Sequence, residues 1–217
     1  MGGPPGSACL RGRIDPVHTV LMAGAPAEKR RATYADIEAL PAHLTGEIIH
    51  GELIVSPRPA PPHALAASML GVFLGAHYGG GGEGPGGWWI LDEPELHLGI
   101  EPDMEPVVPD LAGWRVERMP APPATAYFSL APDWICEVLS PGTAAIDRAD
   151  KMPFYARAGI GHAWLVDPIL KTVEAYRLDR GGWRLLATHR GDLTVPVEPF
   201  ETTPLDLSRL WWRRRIP

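Results

Sequence analysis

Across residues 33–212, short apolar runs alternate with polar or Pro/Gly-rich connectors, and the period of each run predicts its element. Residues 33–40 form a short helix in this reading, with Thr33 as N-cap and Asp36 three positions on, and Pro41 stops it. Residues 47–56 read as two strands around a His50-Gly51 turn. A proline-rich connector over 57–62 leads to a helix over 63–78, with Leu65, Met69, Val72, Phe73 and Ala76 on one face. The glycine-rich stretch 79–87 follows a helix and precedes a strand, the reverse of a phosphate-binding loop, so a flexible connector is expected. Strands are expected at 88–91, 95–98 and 107–111, then a Pro-rich excursion over 119–126 and a central strand at 134–139. A second helix is expected over 151–158, closed by Gly159; Pro153, tolerated in a first turn, puts Lys151 at its start. A strand at 162–167, a hairpin of 172–178 with 183–188, and a short helix over 205–212 complete the pattern. The sum is a mixed α/β fold: a central sheet with a helix on each side and an antiparallel β extension.

The chain has 217 residues, 45% of them hydrophobic and 21% charged, which suits one domain with a sizeable core. No apolar run approaches the ~20 residues needed to span a bilayer, so no membrane partner is expected. Residues 1–32, rich in Gly, Pro, Ala and Arg, lack the apolar centre of a secretory signal. The expected organisation is a flexible leader over 1–32, one domain over 33–212 and a basic tail over 213–217, in a soluble, cytoplasmic protein. The net charge of -6 argues against a protein that coats nucleic acid non-specifically, but leaves room for a local basic surface. Basic residues gather at Arg11, Arg13, Lys29, Arg30 and Arg31, and again at Arg213, Arg214 and Arg215; they read as solvated tails, with phosphate contact as the alternative. Cys9 and Cys136 offer neither a structural disulfide nor zinc-type spacing, and Cys136 reads as a small buried hydrophobe.

The candidate chemistry lies in Val107-Val108-Pro109-Asp110-Leu111, Trp134-Ile135-Cys136-Glu137-Val138-Leu139 and Lys151. Asp110 ends one apolar run and Glu137 lies inside the next, where an unpaired charge is expensive. Strand alternation puts Glu137 on the side of Ile135 and Leu139. If the two strands are neighbours, both carboxylates approach one point, the arrangement a hard cation such as Mg²⁺ requires. Lys151 can reach back over the acids to orient water or neutralise charge; alone, it reads as an ion-pair partner of Asp147 or Asp150. Tyr155, one helical turn on, can border the site, or serve as core with its hydroxyl satisfied. Trp88, Trp89, Trp114, Trp134, Trp164 and Trp183 fall in strand patterns, so most of them read as core rather than as base-stacking platforms.

Several stretches follow one bacterial pattern: Thr45-Gly46-Glu47-Ile48-Ile49-His50-Gly51-Glu52-Leu53, Pro109-Asp110, Cys136-Glu137-Val138-Leu139-Ser140-Pro141-Gly142-Thr143, the run from Asp147 to Ile160, and Ala163-Trp164-Leu165-Val166-Asp167-Pro168. In these the chain resembles the Uma family of endonucleases, formerly a domain of unknown function, in the PD-(D/E)XK or restriction-endonuclease-like superfamily, over residues 33–212. The resemblance implies a restriction-endonuclease-like fold and Mg²⁺-dependent cleavage of DNA, with Mn²⁺ as a substitute. It casts Asp110 and Glu137 as catalytic metal ligands, and Glu47 as an acid that completes the metal shell or a solvated hairpin acid. Leu139 fills the position where the superfamily has its lysine, and Lys151 matches the displaced lysine of the Uma group. His50 stands where the family has aspartate. His63 matches a family histidine at a helix start, as a cap or a substrate contact, and Asp147 stands beside the site. A homodimer fits a fold that often cuts two strands with two subunits, though no residue requires it. The acidic charge and displaced lysine motivate an alternative: a catalytically inactive nucleic-acid-binding or protein-interaction module on the same fold.

Overall fold

The computed structural model describes residues 1–2, 30–79, 86–99 and 105–212. Contacts divide the chain into Met1–Arg30, of which the three described residues are all exposed, and Arg31–Pro217, which carries the elements of secondary structure found among the described residues. Most of the expected leader with Cys9, the connector at 80–85 and the basic tail at 213–217 lie outside the described residues.

Thr33 precedes α1 (Tyr34–Glu38), and its N–H donates to Asp36 Oδ2 at 2.7 Å, as a capping carboxylate should allow. β1 (Thr45–Ile49) and β2 (Glu52–Ser56) pair antiparallel around His50 and Gly51. Both turn residues have positive φ, 55° and 75°, as a two-residue turn matching the strand twist requires. α2 (Pro61–Tyr78) opens with two prolines, which lose nothing where N–H groups have no helical partner. Its buried stripe is Ala66, Leu70, Leu74 and Tyr78. This corrects the expected face in part: Met69 and Phe73 pack against the core, but Val72 is 64% exposed, and Ala76 is exposed too. The helix is apolar nearly all round, so the sequence period carried little information about which side packs.

β3 (Trp88–Asp92) is followed by β4 (Leu96–Leu98) and β5 (Glu105–Val107), which pair with each other rather than joining the main sheet. The strand expected over 107–111 is two strand ends instead: the chain breaks at Val108-Pro109-Asp110 and resumes as β6 (Leu111–Arg115). Pro109 has no N–H to add to a ladder, so the chain can change sheets there. β7 (Trp134–Val138) is buried along its whole length.

The helical segment after β7 also departs from expectation. It begins at α3 (Ala144–Ile146), passes through a π-turn (Asp147–Lys151) and ends as α4 (Met152–Arg157). Lys151 is therefore mid-helix, not at a helix start. Pro153 is accommodated because the preceding turn is widened: the Met152 N–H bonds the Asp147 carbonyl, five residues back. A regular turn would press the proline ring on the carbonyl of Ala149. Gly159 closes the segment at φ 78°.

β8 (His162–Asp167), β9 (Thr172–Asp179) and β10 (Gly182–Arg190) complete the main sheet, with a hairpin turn at Arg180 and Gly181. β11 (Thr194–Val195) pairs with β12 (Leu205–Asp206). The helix expected over 205–212 is replaced by β12 and a single 3-10 turn, Leu207–Arg209, capped by the Asp206 carboxylate accepting from the Ser208 N–H at 3.0 Å. Leu205, Leu207, Leu210 and Trp211 are buried there, a spacing no regular helix face provides.

The six-stranded sheet runs β10-β9-β8-β7-β6-β3, with β7 and β8 parallel and every other pair antiparallel. The parallel pair is what requires the helical crossover that carries Lys151. One core cluster joins α2 and the C-terminal segment to Trp134, Cys136 and Val138. The other joins β4, β5 and α4 to Ile135 and Leu139. Glu137 lies on this second side, as strand alternation predicts. Trp88, Trp114, Trp134 and Trp164 are core. Among the described residues no helix is long and apolar enough to cross a membrane.

Candidate active site

Four parts of the fold meet at one cavity of about 300 Å³: β1, the β5–β6 break, the end of β7 and the π-turn. Glu47, Asp110, Glu137, Asp147, Lys151 and His63 all line it. Every site residue expected from sequence, except Tyr155, therefore borders the same space.

Asp110 stands at the start of β6, not at the end of the preceding strand. Its Oδ2 accepts the Val138 N–H at 2.6 Å, so the side chain bridges the β6–β7 pair just where their ladder ends at Leu111 and Cys136. Its Oδ1 is 3.2 Å from His63 Nε2. Burial pulls the His63 imidazole down, but the hydrogen bond and charge of Asp110 outweigh it and raise the net proton affinity. His63 is the third residue of α2; its side chain meets Asp110 rather than capping the helix, and its Nδ1 is buried with no hydrogen-bond partner among the described residues.

Lys151 is 3% exposed. Its Nζ lies 2.8 Å from Glu137 Oε1 and 3.0 Å from Glu47 Oε1, and donates to the Val108 carbonyl at 3.3 Å. The ion pair with Asp147 or Asp150 weighed from sequence is replaced by these two acids from other strands. Burial pulls the amine down, but Glu137 and Glu47 outweigh it and hold the ammonium protonated, well above the usual lysine range. Glu47 is a buried acid and not a solvated one; its Oε1 also accepts the Val108 N–H at 2.7 Å.

Glu137 Oε1 accepts the Tyr155 hydroxyl at 2.6 Å. Tyr155 is fully buried and does not reach the cavity surface; it orients the acid from behind. Burial pushes Glu137 well above the usual carboxylate range; Lys151 opposes this, and Asp147, Asp110 and Glu47 add to it. Asp147 is pushed up to about 6 by burial, against Lys151 and a hydrogen bond from Thr143. The π-turn sets both ends of this arrangement, because Asp147 and Lys151 are its first and last residues.

Sequence reasoning passed over Arg58, Glu93 and Thr143, which also line the cavity. Arg58 lay in an unassigned proline-rich connector, and Glu93 in a strand connection. The Ser140 hydroxyl lies 3.0 Å from the Thr143 hydroxyl, a helix-start contact rather than a nucleophile held by a base. Cys136 is buried, and burial pushes its thiol well up, so it is inert.

Among the described residues, no group of three His, Cys, Asp or Glu side chains forms a ready-made metal cage. The donor chemistry nevertheless fits a hard cation, because Mg²⁺ needs only one or two carboxylates, with water and substrate oxygens filling its shell. Burial raises Glu137 and Asp147, and the surplus of carboxylates around one ammonium adds to it, a field that a cation relieves.

A mixed sheet crossed by one helical connection, with acids at the ends of adjacent central strands, defines a restriction-endonuclease-like α/β protein. The family described as "Uma2: Putative restriction endonuclease" matches residues 32–208, and the chain belongs to it. Among solved structures, a protein of Anabaena variabilis described as "a putative nuclease belonging to DUF820" is similar with a TM-score of 0.65 and 23% identity. The match covers 82% of this chain and 97% of that one, and it supports the fold. No curated protein matches the chain. The family supports a nuclease.

Proposed function

We propose that this chain is a divalent-metal-dependent endonuclease that hydrolyses phosphodiester bonds of DNA at the cavity between β1, β7 and the π-turn. The observation that carries the reading is the meeting of Glu47, Asp110, Glu137 and Lys151 around one opening, from four separated segments of chain. Asp110 and Glu137 are the residues suited to hold Mg²⁺ or Mn²⁺, with Glu47 able to complete the set. The ion would supply electrophilic stabilisation of the charge that develops at phosphorus.

The protein's own groups have separable tasks. The Val138 N–H and His63 hold Asp110 in a fixed orientation. Tyr155 does the same for Glu137. Lys151 remains protonated, so it acts as a fixed cation near the reacting phosphate and does not serve as a base. Asp147, held at about 6, is the carboxyl best matched to accepting a proton near neutral pH. Buried supports of this kind keep the acids from rearranging as the substrate enters.

The test is nicking of supercoiled plasmid by the full chain with Mg²⁺ or Mn²⁺, with EDTA as control, beside Asp110→Ala and Glu137→Ala. Metal-dependent nicking lost in both variants is the expected result. Equal nicking by wild type and variants means a contaminant and ends the reading. The engagement of Lys151 by two buried carboxylates favours one second reading, a binding module that kept the fold; its signature is salt-dependent DNA binding without metal-dependent turnover.

A further inference from the structure

Among the described residues, five acids line the cavity, Glu47, Glu93, Asp110, Glu137 and Asp147, with two permanent cations, Lys151 and Arg58. The two cations are not equivalent. Lys151 is buried, and its charge is committed to Glu47 and Glu137. Arg58 is exposed and enters no ion pair or hydrogen bond among the described residues. Its backbone is stiffened by Pro57 and Pro59, whose rings fix φ on both sides. The connector that carries it is short, running from β2 at Ser56 to α2 at Pro61. Arg58 therefore borders the cavity from a stiff, exposed strap.

A polyanion approaching so many acids meets repulsion unless a cation stands at the opening. The start of α2 lines the cavity through Ala60 and His63 but is a poor substitute. Its first two residues are Pro61 and Pro62, which have no N–H to donate. A guanidinium matches two phosphate oxygens with two parallel N–H bonds.

We propose that Arg58 receives a phosphodiester of the bound DNA at the mouth of the cavity. It is a substrate-binding residue, distinct from the acids that face the reacting bond. Contact of this kind is to the backbone, so it carries no base preference. The inference rests on the nuclease reading above, which supplies the substrate.

Full-length wild type, Arg58→Ala, Arg58→Lys and Arg58→Glu are titrated with a fluorescein-labelled DNA duplex in EDTA at several salt concentrations, read by anisotropy. Plasmid cleavage in Mg²⁺ and thermal melting are measured alongside. Arg58→Ala weakens binding about tenfold and flattens the slope of log affinity against log salt by about 1. Arg58→Glu weakens binding further, and Arg58→Lys keeps most of the slope but not all of the affinity. KM rises more than kcat falls, with melting unchanged. If wild type binds and cuts DNA while Arg58→Ala and Arg58→Glu match its affinity and salt slope, the Arg58 assignment fails and the nuclease reading stands. If wild type neither binds nor cuts, both fail.

Discussion

Lys151→Met isolates the electrostatic centre of the cavity. Methionine keeps much of the lysine stem and its packing, so the change is mainly one of charge. It leaves Glu137 and Glu47, 2.8 Å and 3.0 Å from the lost ammonium, facing each other in a buried space. Removing one member of a buried ion pair costs roughly 3–5 kcal/mol, because the remaining charge is unpaired. For a chain of this length that corresponds to a melting temperature lower by about 6–20 °C. The penalty has a pH sign. Burial already pushes Glu137 above its ordinary value of 4.5, and without Lys151 it rises further. A carboxyl whose folded pKa is raised imposes a cost in stability that is fully present above the folded pKa and is lost only as pH falls through it to the unfolded value. The difference between variant and wild type is therefore largest at pH 8 and shrinks as pH falls toward 4.5. Urea unfolding followed by tryptophan fluorescence, at pH 8 and pH 5, measures it. Adding Glu137→Gln should remove most of the penalty, since the amide carries no charge to strand. A variant within about 1 kcal/mol of wild type at both pH values, or a penalty indifferent to Glu137→Gln, would refute the reasoning.

Other substitutions test the surroundings. Tyr155→Phe removes the hydroxyl that bonds Glu137 Oε1 at 2.6 Å, and should lower stability by about 1.5–3 kcal/mol in chemical denaturation, as for a hydrogen bond to a charged group. Asp147→Asn should be more stable than wild type by about 3 kcal/mol at pH 8, because a carboxyl raised from 3.8 to about 6 weakens the fold when ionised. That gain should disappear as pH falls from about 6 to the ordinary 3.8, which paired unfolding curves at pH 8 and pH 4 would show. Gly113→Ala places a methyl 3.1 Å from Ile90 and 3.2 Å from Trp134, and should lower the unfolding free energy by about 1–3 kcal/mol through overpacking.

What the sequence by itself determined is local or patterned. Thr33 with Asp36 marks a helix start, His50-Gly51 and Arg180-Gly181 permit tight turns, and alternation in β7 puts Glu137 on the side of Ile135 and Leu139. The acids, the lysine and their order along the chain were equally legible, because charged residues inside apolar runs stand out. The family could be named from those motifs. What only the tertiary structure decided is where the chain changes partners. Pro109 separates β5 from β6, so Asp110 begins a strand and takes a backbone N–H from its neighbour. The packed side of α2 depended on its sheet, since its own sequence is apolar on most sides. Pro153 read as the mark of a helix start, but a π-turn absorbs the strain and keeps the helix continuous from further back. That turn brings Lys151 to Glu47 and Glu137, acids from strands far apart in sequence, instead of to its local neighbours. Arg58 could gain meaning only once β2 and α2 bordered the same cavity. Local propensity is written in neighbouring residues, whereas a shared cavity is the product of sheet order and helix register, which no short stretch of the chain contains.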